Sequence, residues 1–404
     1  MAWPQWEVDE MELDSRQTII MAILVLYLGR FLDGKFGFLR KFNIPESVAG
    51  GIAVSVFLGL LHLFFGFEFI FSLYFRDVLL VIFFTTIGLS TKWQTLVKGG
   101  RLFVIVTFLA VIFLFLQNFI GIVALLPFGI DAHYGLIGGS IALSGGHGTT
   151  IAWAPIFVEK YGAAKAMEFG IIVATLGLIF GGIVAGPVCN WLIKRHKLSS
   201  DSDAPITIGI KHSSKPAVDV DSMLKITLFI ALGIGLGIYI QDVATSYFDV
   251  NLPLFVSSLL GGMLLTNITP QQKCPEGSLT LAMISDISLG IFLAMSLMSV
   301  KLWEIADAIL PITVLMILQI MTIVLFAVFV FFRALGKNYD AAVMSAGYIG
   351  MALGATPVAL ANMTAISKKY GPSPIAFVLI PVVGAFFINF VNALVIEVML
   401  RIFG

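Results

Sequence analysis

Long apolar runs are the feature that most constrains the fold of this 404-residue chain. A helix needs about 20 consecutive apolar residues to cross the ~30 Å hydrocarbon core of a bilayer, and runs of roughly this length recur from end to end. Hydrophobic residues make up 59% of the chain and charged residues only 12%, whereas soluble domains carry about 25% charged residues. The sequence therefore predicts an all-α polytopic membrane protein.

The apolar runs form two sets of six, separated by one hydrophilic stretch. The first set covers residues 18–38, 48–66, 77–91, 102–127, 133–158 and 168–193, and the second covers 223–242, 253–268, 281–300, 306–333, 340–366 and 374–400. We predict a first repeat at 1–200, a cytoplasmic linker at 201–222 and a second repeat at 223–404.

The two halves are also related by sequence. Residues 131–162 align without a gap with residues 340–371, at a constant offset of 209. The identical pairs are Asp131/Asp340, Ala132/Ala341, Gly138/Gly347, Gly145/Gly354, Ala152/Ala361, Lys160/Lys369, Tyr161/Tyr370 and Gly162/Gly371. A match of this length indicates an internal repeat. The two aspartates are interpreted as N-caps of the segments that follow them.

The segments at 133–158 and 340–366 are rich in glycine and contain proline, which favour a backbone that does not stay helical. We predict that each one dips into the membrane and returns, as a re-entrant hairpin. Each half then crosses the membrane five times, so the two five-helix repeats are inverted and the chain has about 10 transmembrane helices. With both termini outside, most of the 24 lysines and arginines fall on the inner side, as the positive-inside rule requires.

The tips of the two hairpins are the predicted binding site. Non-helical backbone is tolerated at membrane depth only where it is buried in protein or lines a cavity, and the exposed amides at the start of a half-helix bind anions. Opposed broken segments of this kind form the substrate sites of inverted-repeat transporters. The candidates are Ser144, Gly145, Gly146, His147, Gly148 and Thr149 in the first tip, and Gly354, Ala355, Thr356 and Pro357 in the second.

Several motifs resemble the bacterial glutamate:sodium symporter family. They are SGGHGT at 144–149, GKNYDAAV at 336–343, ALGATP at 352–357, ANM at 361–363 and VGAFFINFVNALVI at 383–396. The resemblance implies sodium-driven uptake of L-glutamate across the bacterial inner membrane, a homodimer surrounded by membrane lipid, and an elevator-like form of alternating access. In such a movement, the hairpins and the segments after them would shift against a static set that includes 48–66 and 253–268.

Sodium is a hard cation, so neutral hydroxyl, amide and carbonyl oxygens suit a coupling ion that must also leave. The sodium candidates are Ser144, Thr149, Thr356, Asn362 and Asn389, and Asn392 is a further substrate-binding candidate. No other cofactor is expected, because Cys189 and Cys274 lack the spacing of a metal or disulfide site.

Four alternatives to this function stay open at this point. The nearest is sodium-coupled transport of another small carboxylate, such as a hydroxycarboxylate. A proton-driven carrier is less favoured because the helix centres lack a relay of acids, and a channel fits two opposed dead-end tips poorly. A membrane hydrolase would need an acid near Ser144 and His147, and none is close in sequence. We therefore expect a transporter and not an enzyme, and the zero net charge gives no reason to expect a nucleic-acid partner.

Overall fold

A computed structural model describes residues 9–41, 44–90, 100–200, 219–248, 252–269, 278–301 and 308–403. Its strands and α-helices are β1 Asp9–Leu13, α1 Ser15–Lys35, α2 Gly37–Lys41, α3 Glu46–Phe65, β2 Phe67–Phe71, α4 Tyr74–Leu89, α5 Gly100–Leu125, α6 Ala132–Leu136, α7 Gly146–Tyr161, α8 Ala166–His196, α9 Val220–Phe248, α10 Leu254–Ile268, α11 Leu279–Met298, α12 Ile309–Phe326, α13 Phe332–Ala334, α14 Tyr339–Leu353, α15 Thr356–Tyr370, α16 Pro374–Val382 and α17 Asn389–Phe403. A 3-10 turn at Leu126–Phe128 and three π-helical segments, at Ile137–Ile141, Ala327–Phe331 and Val383–Ile388, complete the order.

Within the described residues, seven helices are long and apolar enough to cross a bilayer. They are Ser15–Lys35, Glu46–Phe65, Gly100–Phe128, Ala166–His196, Val220–Tyr247, Leu279–Met298 and Ile309–Ala334. Many large apolar side chains on these helices are exposed, including Phe64 at 70% and Phe108 at 63%. Such apolar surfaces are typical of helices that face lipid. The chain is therefore a polytopic, mainly helical membrane protein, as predicted.

One small element departs from an all-helical chain. Strand β1, which precedes α1, pairs in parallel with β2, which follows α3, and joins Asp9 to Phe67 and Leu13 to Phe71. Both strands lie next to the ends of packed helices, where the backbone amides and carbonyls lack helical partners. Pairing gives hydrogen-bond partners to the backbone groups along the facing edges of the two strands.

Several predicted spans are helices with interruptions. The run at 306–333 becomes α12, a π-helical segment and α13, and the run at 374–400 becomes α16, a π-helical segment and α17. Helix α9 begins at Val220, three residues before the predicted start of the second repeat. Most of the predicted linker, residues 201–218, lies outside the described part of the chain.

The segments with the repeated sequence are two helical hairpins. The first hairpin is residues 132–161. Its two ends lie close together, as the stacking of the His133 ring on Tyr161 at a centroid distance of 4.5 Å shows. The second hairpin is residues 339–370, and its start is joined to its end by a hydrogen bond from the Tyr339 hydroxyl to the Gly371 carbonyl. Each segment therefore returns to the place where it began.

The helices pack in two groups. The first packing group contains α1, α3, α4, α9, α10 and α11, which contact one another extensively. The second packing group contains α5, α8, α12, both hairpins and the final α16 and α17. Contacts between the groups are sparser and include the Trp153 ring against Phe255, with centroids 6.0 Å apart. This arrangement places both hairpins within one packing unit.

Candidate functional site

The tip of the first hairpin is a break in the helix. The π-helical segment Ile137–Ile141 contains Gly139, whose φ of −92° and ψ of −124° are not helical. A turn follows, and α7 begins at Gly146 with a φ of +69°. That left-handed conformation favours glycine because a side chain there would be strained. The sequence GGHG thus places the amino-terminal end of α7 inside the protein, where its first backbone amides have no helical partners.

The tip of the second hairpin has a different local structure. Helix α14 ends at Leu353, Gly354 and Ala355 are non-helical, and α15 begins at Thr356 with Pro357 in its first turn. Proline suits this position because the first helical amides need no intrahelical partner.

The predicted N-cap role is confirmed for Asp131, at the start of the first hairpin, which accepts a hydrogen bond from the His133 amide at 2.8 Å.

The N-cap role predicted for Asp340 is wrong. The residue that caps α14 is Asn338, whose side-chain oxygen accepts from the Ala341 amide at 2.8 Å. Asp340 instead accepts a hydrogen bond from the Ser373 hydroxyl, at the start of α16. An asparagine two residues earlier already supplies the cap, so the aspartate is free to join two elements.

The two tips meet, although 208 residues separate them in the chain. A Cβ atom at Gly146 would lie 3.3 Å from the carbonyl oxygen of Gly354. The Ser144 hydroxyl lies 3.3 Å from the carbonyl oxygen of Ala352, which is also 208 residues away in the chain. The structure thus brings together Ser144 and Gly146 of one tip with the residues just before and at Gly354 of the other.

Two glutamines, which sequence reasoning missed, hold the tips in place. Gln117 of α5 accepts a hydrogen bond from Ser144 at 2.6 Å and donates to the Ala352 carbonyl at 2.9 Å. Gln319 of α12 donates to the Gln117 carbonyl at 2.8 Å. Both glutamine side chains are fully buried. The sequence could have indicated both residues, because an uncharged polar residue inside an otherwise apolar span marks a position that faces the protein interior.

His147 is buried and makes a structural hydrogen bond. Its Nε2 lies 3.0 Å from the hydroxyl oxygen of Thr175 on α8. The Thr175 hydroxyl already donates its one proton to the Ile171 carbonyl at 2.8 Å. Thr175 must therefore accept from His147, which requires the tautomer with the proton on Nε2. This bond fixes the start of α7 against α8.

The other tip residues have separate surroundings. Thr149 is buried and packs against the backbone of Gly145, and a Cβ at Gly148 would approach the Phe292 ring of α11 at 3.7 Å. The hydroxyl of Thr356 lies near Gly384, at 2.8 Å from the position of a Cβ atom there. Next to it, Ala355 is partly buried and Pro357 is exposed.

Two of the three predicted asparagines are described with their side chains, and each holds a hairpin to a helix. Asn362 donates to the Gly181 carbonyl of α8 at 3.0 Å, and Asn392 donates to the Ser140 carbonyl at 3.0 Å. Asn392 therefore lies beside the π-helical segment of the first hairpin, at Ser140, four residues before Ser144 in the chain. The side chain of Asn389 lies outside the described part of the structure.

Comparison with known sequences identifies the family. A sequence model of the sodium/glutamate symporter family matches residues 11–372. This chain belongs to that family. The sodium/glutamate symporter of Escherichia coli K12 is 40% identical over 402 residues, which cover 96% of this chain and 98% of the relative. The sodium/glutamate symporter of Haemophilus influenzae is 39% identical over 388 residues, covering 95% and 96% of the two chains.

Membership of a symporter family makes this protein a membrane transporter and not an enzyme. The family match includes both hairpins and both tips, because it extends to residue 372. The predicted resemblance is therefore confirmed, and it holds across the region in which the two tips meet.

Proposed function

We propose that this protein carries L-glutamate into the cell together with sodium ions. The observation that carries this proposal is the contact between two broken hairpin tips, at Gly146 and Gly354, within a member of the sodium/glutamate symporter family. The relatives in E. coli and H. influenzae are named for these two substrates. Sodium is the coupling ion here, and the glutamate anion is the cargo.

The topology that we propose has about ten crossings and two inverted five-helix repeats, with both hairpins re-entrant. Each hairpin begins and ends at one place, as the His133–Tyr161 and Tyr339–Gly371 contacts indicate. A segment that returns to its starting side adds no net crossing, so each half crosses five times. With the termini in the periplasm, the first hairpin enters from outside and the second from inside the inner membrane. We further propose a homodimer embedded in membrane lipid.

The substrate site that we propose lies at the joined tips. The amino-terminal ends of α7 and α15 carry partial positive charge and unpaired amides, which suit the carboxylates of glutamate. Neutral oxygens of Ser144, Thr149, Thr356 and Asn362 remain the sodium candidates, and Asn389 stays a candidate from the sequence alone. Sodium ions would offset the net negative charge of the glutamate.

Uptake into proteoliposomes tests this function directly. We expect labelled L-glutamate to accumulate under an inward sodium gradient and to stop accumulating when choline replaces sodium at constant pH. Unlabelled glutamate should compete for uptake, and citrate should not. Accumulation without sodium would contradict sodium coupling, and competition by citrate would favour the hydroxycarboxylate alternative.

The division into two packing groups supports an elevator-like movement. The group that contains both hairpins would slide as a unit against the group that contains α3 and α10. Trp153 and Phe255 face each other across the boundary at 6.0 Å, whereas Phe84 and Phe255 lie within the first packing group at 4.9 Å. The movement would separate Trp153 from Phe255 but would leave Phe84 beside Phe255.

Cross-linking exploits these two pairs. In a background without the native cysteines, a short bifunctional maleimide should join W153C to F255C and stop uptake while glutamate binding persists. The same reagent on F84C and F255C, the matched control, should leave uptake intact. Undiminished transport after complete cross-linking of the first pair would refute the movement.

A further inference from the structure

Ser140 lies at the centre of an unusual part of the first hairpin. It belongs to the π-helical segment Ile137–Ile141 and follows the non-helical Gly139. A break of this kind in a membrane-embedded helix is tolerated only where the backbone is buried in protein or lines a cavity. The backbone of Ser140 is held from both sides, because Asn118 of α5 accepts from its amide at 2.8 Å and Asn392 of α17 donates to its carbonyl at 3.0 Å.

The side-chain atoms around this backbone have no partners. Within the described chain, the Ser140 hydroxyl, the Asn392 side-chain oxygen and the Asn118 side-chain nitrogen are buried and make no hydrogen bond. Ser140 and Asn118 are fully buried, and Asn392 is 1% exposed. A buried polar group without a partner is costly, so several of them on three adjoining residues need an explanation.

A small cation explains the unpartnered oxygens better than a substrate molecule does. The Asn392 oxygen can only accept, and the Ser140 hydroxyl has a single proton to donate, so these two atoms offer little to the carboxylates of glutamate. Both atoms are sealed from solvent, so a small ion can lie between them, whereas glutamate needs an open cavity. Divalent ions favour carboxylate ligands, and the described residues contain no group of three His, Cys, Asp or Glu that could hold a metal.

We propose that Ser140 Oγ and Asn392 Oδ1 are ligands of a sodium site beside the first hairpin. This inference rests on the proposed sodium coupling and assigns Asn392 to the ion instead of the substrate. The unpartnered Asn118 amide can donate to a water molecule that is a further ligand of the ion. Ser140 lies four residues before Ser144 in the chain, so a bound ion would tie the π segment to α17 and fix the tip that receives glutamate.

Sodium binding can be measured without transport. Purified wild-type protein should unfold at a higher temperature in NaCl than in choline chloride at equal ionic strength, without glutamate. S140A removes an oxygen that makes no hydrogen bond, so this variant should fold and be at least as stable as wild type in choline. In NaCl, S140A and N392A should both show a smaller sodium-dependent shift than the wild type.

Transport provides the second readout. S140A should raise the sodium concentration for half-maximal glutamate uptake about tenfold, which corresponds to about 1.4 kcal/mol of binding free energy. The matched control is S296A on α11, because Ser296 is equally buried but its hydroxyl bonds to the Phe292 carbonyl within its own helix. S296A should retain the wild-type sodium dependence.

The outcomes separate the site from the function. A wild type without a sodium-dependent shift, or an S140A with the full wild-type shift, overturns the sodium site. Failure of the wild type to accumulate glutamate under a sodium gradient overturns the proposed function instead. If N392A does not fold, S140A alone decides the question. Loss of the Ser140 hydroxyl leaves the hydrogen bonds of the Ser140 amide and carbonyl in place.

Discussion

A series of glycine substitutions on α8 tests the packing of the tips. A Cβ atom at Gly177 would lie 2.1 Å from the Leu353 carbonyl oxygen and 2.8 Å from the Leu143 side chain. These two leucines directly precede Gly354 and Ser144, so α8 supports both tips at one position. At Gly181 the nearest atom to a Cβ is at 3.3 Å, and at Gly186 there is none within 4 Å.

The geometry sets the size of the effect. A carbon atom normally approaches a carbonyl oxygen no closer than about 3.3 Å, so G177A must displace the second tip from α8 by roughly 1 Å. Overpacking of this kind costs about 1–3 kcal/mol, and a backbone carbonyl yields less readily than a side chain. Replacing helical glycine by alanine returns about 1 kcal/mol. The difference is about 0–2 kcal/mol, and the stiff carbonyl favours the upper end, so we expect G177A to destabilise by up to about 2 kcal/mol, G181A to be nearly neutral and G186A to stabilise by up to about 1 kcal/mol.

Thermal unfolding in detergent measures the change in stability, and the initial rate of glutamate uptake in proteoliposomes measures the effect of the displaced tip. G177A should lower both the unfolding temperature and the rate of uptake, and G186A should lower neither. The order of the three variants matters more than any single value, since all three lie on one helix. If G177A unfolds and transports like G186A, the second tip does not rest on α8 and the described site is incorrect.

Three further predictions concern hydrogen bonds near the hairpins. Q117L leaves the Ala352 carbonyl without its donor, so it should lower the free energy of unfolding by about 1–3 kcal/mol, measured as a lower unfolding temperature; an unchanged temperature would exclude the network. N338A removes the cap of α14 and should cost about 1 kcal/mol, whereas the uncapping expected for D340A from sequence should not occur. The His133 backbone amide lowers the pKa of Asp131, so stability should be lost as pH falls below the ordinary carboxyl range near 4. D131A should flatten this acid dependence in a pH series of unfolding temperatures.

Local sequence patterns predicted the hairpins well. The breaks at GGHG and GATP were visible because glycine and proline act on their own backbone, and Asp131 was visible as a cap because its partner is two residues away. The cap predicted at Asp340 was wrong because it was inferred from the alignment with Asp131. The alignment could not show that Asn338, two residues earlier, supplies the cap. The roles of the individual tip residues stay predictions.

The sequence by itself determined the membrane class, the repeated order of apolar runs and the two broken segments, because hydropathy and backbone preference depend on near neighbours in the chain. Only the tertiary structure decided that Gln117 joins the two tips, and that Asn118, Ser140 and Asn392 come together. Isolated polar residues in apolar helices mark the inside of a membrane protein, but their partners lie up to 252 residues away. Helix packing chooses those partners, since at membrane depth a polar group without water must find another protein group or an ion.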